Sequence, residues 1–251
     1  MHSNPTAKKM FKLLQSQQRT SGDWFSKTFN DFLDFAVWRL SHGEIMPHDE
    51  RVTTSPVLAE LFELWAQTEQ LEDTLGELYM EIISNYKASA MGQYFTPMSV
   101  SLLIAGIALG SPTARKQQRF YEPTCGSGAN ILASVQVLEQ EYKSNRLNHV
   151  YWAGDLDLMC VKMCAVQCAL NSVPLAVWHM DTLKLEVYGG YKVCFIEMEG
   201  RLLPKLMMLN DVDLKAWEQV FPPAPTPPKP QPTKPAPPPT KPTKPDQFSL
   251  F

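Results

Sequence analysis

Polar residues and glycines in the second half of the sequence have the spacing of a ligand site. Residues 122–128 read EPTCGSG, and the two glycines let backbone amides approach a ligand closely before a helix begins. Asp155 follows about thirty residues later, where a carboxylate can accept both hydroxyls of a ribose. Asp181 and Thr182 come next, within reach of a base edge. The pattern predicts a nucleoside-like ligand, while a plain tight turn also explains a lone Gly-x-Gly.

Other reactive residue types have a structural interpretation. Asp157 precedes an apolar segment and is interpreted as a helix N-cap rather than as a ligand contact. Three cysteines recur at four-residue spacing, which predicts a helix face buried against a sheet: Cys160, Cys164 and Cys168. The five cysteines have no CxxC spacing, so we expect reduced thiols and neither a zinc site nor a disulfide framework.

The elements that position these residues alternate between strand and helix. Strands are predicted at 119–122, 150–153, 176–179 and 191–196, and helices at 97–109, 129–142 and 158–171. Such alternation predicts an α/β fold with parallel βαβ units in a doubly wound, Rossmann-like sheet. Only about twenty-five residues separate the fourth strand from a proline-rich segment, so the sheet is expected to be partial.

Composition divides the chain into four parts: a helical N-terminal domain at 1–88, the α/β domain at 89–221, a Pro/Lys/Thr linker at 222–245 and a terminal peptide at 246–251. The helical domain is either a solvated bundle or a docking surface, and includes a helix predicted at 67–86. Thirteen of the 21 prolines lie in the linker, which is expected to be disordered and extended, as a spacer or a ligand for aromatic grooves.

Charge and hydropathy exclude several classes of protein. Residues 1–221 carry a net charge of −6, so the body has no surplus of cations for phosphates, and any DNA contact is expected to be indirect or weak. The longest apolar run is about half of the roughly 20 residues that a membrane span needs. We therefore expect a cytoplasmic protein without a membrane partner.

The motifs together resemble the N6-adenine DNA methyltransferases, specifically the modification subunits of type I restriction systems, over about residues 74 to 200. GQYFTP at 92–97 is similar to the family's GQFFTP element, which covers S-adenosylmethionine, and residues 122–128 are similar to its DPACGSG loop. Glu122 replaces the usual Asp of that loop. The resemblance implies an S-adenosylmethionine site formed by Tyr94, Phe95, Thr96, Pro97, Glu122, Thr124, Cys125, Gly126, Ser127, Gly128, Asp155, Asp181 and Thr182.

The catalytic motif of that family is missing from the sequence. The resemblance implies Asn/Asp/Ser-Pro-Pro-aromatic after the fourth strand, but residues 197–200 read EMEG, and no catalytic residue is assigned. Glu197 is interpreted as an ordinary strand-end acid. An unpaired fourth strand would expose a sheet edge, which favours a homodimer or a restriction-modification subunit as partner.

The terminal peptide resembles a second known element, the bacterial sliding-clamp-binding pentapeptide QL[SD]LF. The chain ends QFSLF, and the residues expected to bind the clamp are Gln247, Phe248, Leu250 and Phe251. Exposed apolar residues at the end of a polar tether have no other role in folding.

Three functions remain open at this point. The leading hypothesis is a protein that binds S-adenosylmethionine, has lost autonomous catalysis and is tethered to the clamp. The alternatives are an active adenine methyltransferase completed by a partner subunit, and a decoy or adaptor whose cofactor pocket is vestigial.

Overall fold

The structure, a computed structural model, describes residues 4–16, 22–86, 94–110 and 117–220. The predicted linker and the four clamp-binding residues (Gln247, Phe248, Leu250, Phe251) lie outside the described residues.

The N-terminal part is helical. Its helices are α1 (Pro5–Ser16), α2 (Gly22–Leu40), a 3-10 helix (Glu50–Thr54), α3 (Pro56–Ala66) and α4 (Thr74–Tyr86). The helix predicted from residue 67 instead begins at Thr74, because the Asp73 side chain accepts from the Gly76 amide at 3.1 Å as an N-cap. Leu71, just before it, has a left-handed φ of 65°, which a continuous helix does not allow.

The second part of the chain alternates helices and strands. It comprises α5 (Met98–Leu109), β1 (Arg119–Glu122), α6 (Ala129–Gln140), a 3-10 helix (Arg146–Asn148), β2 (Val150–Asp155), α7 (Leu158–Leu170), β3 (Leu175–Asp181), β4 (Glu186–Met198), β5 (Arg201–Met208) and α8 (Asp211–Val220). The predicted α/β class with a Rossmann-like sheet is confirmed. Asp157 is the N-cap of α7, as predicted, and its carboxylate accepts from the Met159 amide at 2.8 Å.

The five strands of the described chain form one sheet in the order β1-β2-β3-β4-β5. Strands β1, β2 and β3 are parallel, with Tyr121 opposite Trp152 and Trp152 opposite Ala176. Helices α6 and α7 make the two crossovers between them. Because β1 pairs only with β2, its other side is an open edge within the described part of the chain.

The expectation that the fourth strand is unpaired at a sheet edge is wrong, and this strand does not extend the parallel part of the sheet. Strand β4 runs antiparallel to β3, with Tyr191 opposite Val177, and then forms a hairpin with β5, which the sequence analysis did not predict. Only residues 182–185 separate β3 from β4, and a parallel crossover needs a dozen residues or more. Glu199 and Gly200 turn the hairpin with φ values of 51° and 75°, as in a type I′ turn.

One apolar core joins the helical part to the sheet. Leu132 of α6, Val161 of α7 and Val177 of β3 belong to the same buried cluster as Phe32 and Trp65 of the N-terminal helices. The opposite face of the sheet carries α8, whose Trp217 packs on Trp178 and Tyr121 with ring centroids 5.5 and 5.3 Å apart. Among the described residues, no helix combines the length and apolarity that crossing a bilayer requires.

Candidate functional site

The turn after β1 lies against the end of β2. The Cys125 amide donates to the Gly154 carbonyl at 2.9 Å, and the Gly128 amide donates to the Cys125 carbonyl at 2.8 Å. Gly126 and Gly128 have φ values of 52° and 101°, in the left-handed region that favours glycine. The turn leads into α6, so the carboxyl end of β1 and the start of a helix face the same space, as in nucleotide-binding α/β folds.

Asp155 is joined to this turn by hydrogen bonds. Its Oδ2 accepts from the Gly126 amide at 2.9 Å, and its Oδ1 accepts from the Asp157 amide at 3.0 Å. A carboxylate has about four lone-pair positions, so each oxygen keeps one for a further donor. The structure therefore brings together two of the features singled out in the sequence, the glycine turn and the acid after β2.

Glu122 holds the first half of the turn. Its Oε1 accepts from the amide and the hydroxyl of Thr124 at 3.2 and 3.3 Å, and its Oε2 accepts from Asn130 Nδ2 at 2.9 Å. These contacts run from β1 through the turn to the first turn of α6. The Glu that replaces the family's Asp thus organises the loop.

Phe95 lies over the glycine turn. A Cβ added to Gly126 would lie 3.1 Å from the Phe95 ring, which itself stacks on Tyr79 with centroids 5.0 Å apart. Gly126 is therefore a position where ring and backbone approach closely. The segment at 94–97 and helix α4 both reach the turn through this ring.

The other residues of the 94–97 segment are placed differently. Tyr94 is 81% exposed and Thr96 is half-buried, while the Pro97 carbonyl accepts from the Ser101 amide at 3.0 Å at the start of α5. The first two residues of the GQYFTP element, Gly92 and Gln93, lie outside the described residues.

Asp181 and Thr182 follow β3, the neighbour of β2. The Asp181 Oδ1 accepts from the amides of Leu183 and Lys184 at 3.0 and 3.1 Å. These bonds, chiefly the one from the Lys184 amide, lower the pKa of the Asp181 carboxyl. The Thr182 side chain lies beside Gly154, where an added Cβ would come within 3.2 Å of its methyl group. The Asp181 carboxylate thus stabilises the turn that follows β3, and Thr182 packs on the end of β2.

The sequence analysis missed a buried polar group beneath the turn. The Ser127 hydroxyl donates to Asp73 Oδ2 at 2.7 Å, and Gln167 of α7 donates to Asp73 Oδ1 and to the Ser127 carbonyl, both at 2.8 Å. Asp-x-x-Gly at 73–76 is an N-cap signal that could have placed Asp73 at a helix start, but nothing local marks it as buried.

The cysteines pack behind the turn. Cys125, Cys160, Cys164 and Cys168 are all buried, so the predicted burial of the three helical thiols is confirmed. A Cβ added to Gly128 would lie 3.1 Å from the Cys164 sulfur, which requires glycine there. Burial raises the pKa of the Cys125 and Cys160 thiols, as expected for inert thiols. In the described part of the chain, no three His, Cys, Asp or Glu side chains could hold a metal ion together.

Comparison with known proteins finds a family that matches this part of the chain. Residues 70–191, which span Asp73, the glycine turn and the acids after β2 and β3, match the family model for N-6 DNA Methylase. The matched region is just under half of the chain. The sequence-based resemblance to N6-adenine methyltransferases of the modification-subunit type is confirmed.

One relative of this chain is a larger protein. The chain is 25% identical over 169 residues to the methylase subunit of the type I restriction enzyme MpnII from Mycoplasma pneumoniae, which covers 64% of this chain and 30% of the relative. The chain thus spans less than a third of that relative's length.

Two solved structures resemble the fold at low identity. One is a putative class I S-adenosylmethionine-dependent methyltransferase from Listeria monocytogenes, with a TM-score of 0.47, 13% identity and coverage of 71% of this chain and 54% of that one. The other is a type I restriction-modification methyltransferase subunit from Streptococcus thermophilus, with a TM-score of 0.39, 18% identity and coverage of 70% and 39%.

Proposed function

We propose that the chain binds S-adenosylmethionine at the turn after β1. The observation that carries the proposal is the Gly126–Asp155 hydrogen bond of 2.9 Å, which joins a glycine turn to a carboxylate that keeps free acceptor positions. The match of residues 70–191 to the N-6 DNA methylase model supports the same cofactor. The proposal is also supported by the close approach of Phe95 to Gly126, where any added side chain would meet the ring.

Different residues would bind different parts of the cofactor. Asp155 would accept the ribose hydroxyls, the turn at 124–128 would hold the methionine part with backbone groups, and Asp181 with Thr182 would lie near the adenine. Tyr94 and Phe95 would cover the cofactor, with Thr96 and Pro97 leading into α5. When bound, S-adenosylmethionine supplies an activated methyl group.

Calorimetric titration of the full chain with S-adenosylmethionine tests this proposal. We expect binding by the wild type and at least a tenfold loss of affinity in Asp155→Ala, since hydrogen bonds from ribose hydroxyls to a charged acceptor contribute about 1.5–3 kcal/mol. Asp211→Ala, at an exposed position at the start of α8, is the control and should bind as the wild type does. Absence of heat with the wild type at millimolar cofactor contradicts the proposal.

We further propose that the isolated chain does not methylate adenine. The sequence contains no Asn/Asp/Ser-Pro-Pro-aromatic motif to hold and stack a flipped base. Residues 197–200 form the tip of the β4–β5 hairpin, on the far side of the sheet from β1. Detection of N6-methyladenine made by the purified chain, and lost in Asp155→Ala, would overturn this.

The open edge of β1 favours a second candidate, a methyltransferase completed by a partner subunit. Beside that edge lies a cavity of about 310 Å³, formed by residues of α5, β1 and α6. Two polar atoms of cavity-lining residues, Ser101 Oγ and Asn130 Oδ1, are buried without a partner in the described structure. A strand added along β1 would extend the sheet next to the cofactor turn.

Reconstitution with restriction-modification subunits of the same host tests the second candidate. We expect methyl transfer to DNA only in the mixture, and its loss in Ile107→Lys, because Ile107 is a 73% exposed apolar residue of α5. Val212→Lys on α8 is the matched control, since Val212 is equally exposed at 73% but lies on another face. Equal activity of both variants would place the contact elsewhere.

We also propose that the terminal peptide binds a bacterial sliding clamp. The proposal is supported by the sequence alone, through Gln247, Phe248, Leu250 and Phe251. A polyproline linker of 24 residues would reach roughly 70 Å at about 3.1 Å per residue. Simultaneous alanine substitution of Gln247, Leu250 and Phe251 should abolish clamp capture in a pull-down and leave cofactor affinity unchanged. Retained capture would contradict the proposal.

A further inference from the structure

A buried carboxylate lies directly beneath the glycine turn. Asp73 is 5% exposed, and it accepts three hydrogen bonds: from the Ser127 hydroxyl at 2.7 Å, from Gln167 Nε2 at 2.8 Å and from the Gly76 amide at 3.1 Å. Its donors come from the turn, from α7 and from α4. One side chain of the helical part therefore contacts the turn proposed to bind the cofactor.

The space around this carboxylate is closely filled. A Cβ added to Gly76 would lie 2.2 Å from Asp73 Oδ2 and 2.6 Å from Ser127 Oγ. The absence of a side chain at Gly76 therefore lets α4 pack directly against the turn. Gln167, 1% exposed, donates to the Ser127 carbonyl and accepts from the Leu75 amide at 3.1 Å. Ser127 is thus held at both its hydroxyl and its carbonyl.

The hydrogen bond from the Ser127 hydroxyl depends on the charge of Asp73. An ionised carboxylate only accepts, which matches three donors. If Oδ2 takes up a proton, that proton must point at Ser127 Oγ, and the Ser127 hydroxyl hydrogen must turn away. Ser127 is 1% exposed, so that hydrogen has no water to bond to, and an unsatisfied buried donor is costly.

We propose that Asp73 is a positioning residue for the cofactor turn, and that the turn binds S-adenosylmethionine tightly only while Asp73 is ionised. The inference rests on the proposed cofactor binding and adds a proton-sensitive control to it. Asp73 itself need not touch the cofactor. It acts through Ser127, which lies between the two glycines of the turn.

The surroundings of Asp73 place this transition in an accessible pH range. Burial raises the pKa of the Asp73 carboxyl to about 6, opposed by the hydrogen bonds from Gln167, Ser127 and Gly76. The charged group facing it is Glu77 of α4, which also raises the pKa and which accepts from the Asn4 amide at 2.7 Å. From α7, the uncharged Gln167 faces it, and Cys164 packs against Gly128.

The test is the affinity of the full chain for S-adenosylmethionine between pH 5 and pH 8, in wild type and in Asp73→Asn. Asparagine keeps the shape and removes the charge, so it reproduces the protonated state at every pH. We expect the wild type to lose about tenfold in affinity from pH 8 to pH 5, with a midpoint near pH 6, and the variant to be weak and independent of pH.

A matched control and a second variant separate positioning from folding. Asp49→Asn also changes an N-cap aspartate, which accepts from the Arg51 amide at 3.1 Å on the unrelated 3-10 helix, and should keep the wild-type profile. Ser127→Ala should weaken binding in the wild type but add little in the Asp73→Asn background, because both remove the same contact.

Each result decides a different question. Wild-type binding that does not change with pH, or Asp73→Asn binding at pH 8 as tight as wild type, overturns the inference and leaves the proposed function intact. Absence of wild-type binding at pH 8 overturns the proposed function and the inference together. Should Asp73→Asn fail to fold, Ser127→Ala takes its place, and full wild-type affinity and pH dependence in that variant overturn the inference.

Discussion

The backbone amide of Gly126 and the carboxylate of Asp155, 29 residues apart, are joined by a hydrogen bond of 2.9 Å. Asp155 also accepts from the Asp157 amide, so one side chain connects the turn after β1 to the start of α7. The residue proposed to hold the ribose is therefore also a structural residue of the cofactor-free protein.

We expect Asp155→Ala to lower the free energy of unfolding of the cofactor-free protein by about 1–3 kcal/mol, because two amides lose their acceptor. Asp155→Asn keeps one side-chain oxygen and should lie between the two. Urea denaturation without cofactor measures this. A variant as stable as the wild type would show that solvent replaces the carboxylate at no cost.

Gly128→Ala should destabilise the protein by more than 1 kcal/mol. Gly128 has a φ of 101°, and an added Cβ would meet the Cys164 sulfur at 3.1 Å and its Cα at 3.3 Å. Gly106→Ala in α5 is the control, since no atom lies within 4 Å of its added Cβ and alanine favours a helix by about 1 kcal/mol. Denaturant unfolding should move the two variants in opposite directions, and a stable Gly128→Ala would contradict the turn geometry.

The pH dependence of stability should contain two opposing contributions. For Asp73 the folded pKa is raised from 3.8 to about 6, so the folded state takes up the proton first. Stability from this group therefore rises as pH falls from about 7 to 4, by up to roughly 3 kcal/mol. Asp73→Asn should remove that rise, which denaturation at several pH values measures.

Glu139 should act in the opposite sense. The hydrogen bond from Arg146, at 2.6 Å to Nε, lowers the pKa of the Glu139 carboxyl below its usual 4.5. The stabilisation is present at neutral pH and is lost as pH falls through the folded pKa, by about 1 kcal/mol for this partly exposed pair. Glu139→Gln should abolish this acid-side loss, and an unchanged acid limb would contradict it.

Glu199→Asn should stabilise the β4–β5 hairpin by about 0.5 kcal/mol. Glu199 has a φ of 51°, which asparagine tolerates better, and Asn-Gly is the preferred pair of a type I′ turn. Glu197→Asn, at an exposed position within β4, should not stabilise. Thermal unfolding of both variants provides the comparison, and a destabilised Glu199→Asn would argue against this turn.

Local patterns predicted the elements that position the site. Strand β1 has the predicted bounds, because a short aromatic run is followed at once by the glycine turn. The start of α7 follows from the N-cap at Asp157. Both signals depend on residues that are adjacent in the chain, so no tertiary information was needed.

The direction of β4 and the hydrogen-bond network around Asp73 were not predicted from the sequence. The composition of β4 does not indicate its direction, which follows from the four-residue connection between β3 and β4. Asp73 resembles a surface acid in the sequence, since its partners Ser127 and Gln167 lie 54 and 94 positions away. Burial of a carboxylate is decided by those distant segments, which local periodicity does not contain.

The order of the strands in the sheet is also their order along the chain. Each strand after β1 therefore pairs with the strand that precedes it, and no later strand must insert between two that have already formed. During synthesis from the N-terminus, β2 finds β1 already present, and the β4–β5 hairpin is added last at the edge that grows. Because each new strand is added at an edge that already exists, the sheet is expected to assemble in the order of the chain.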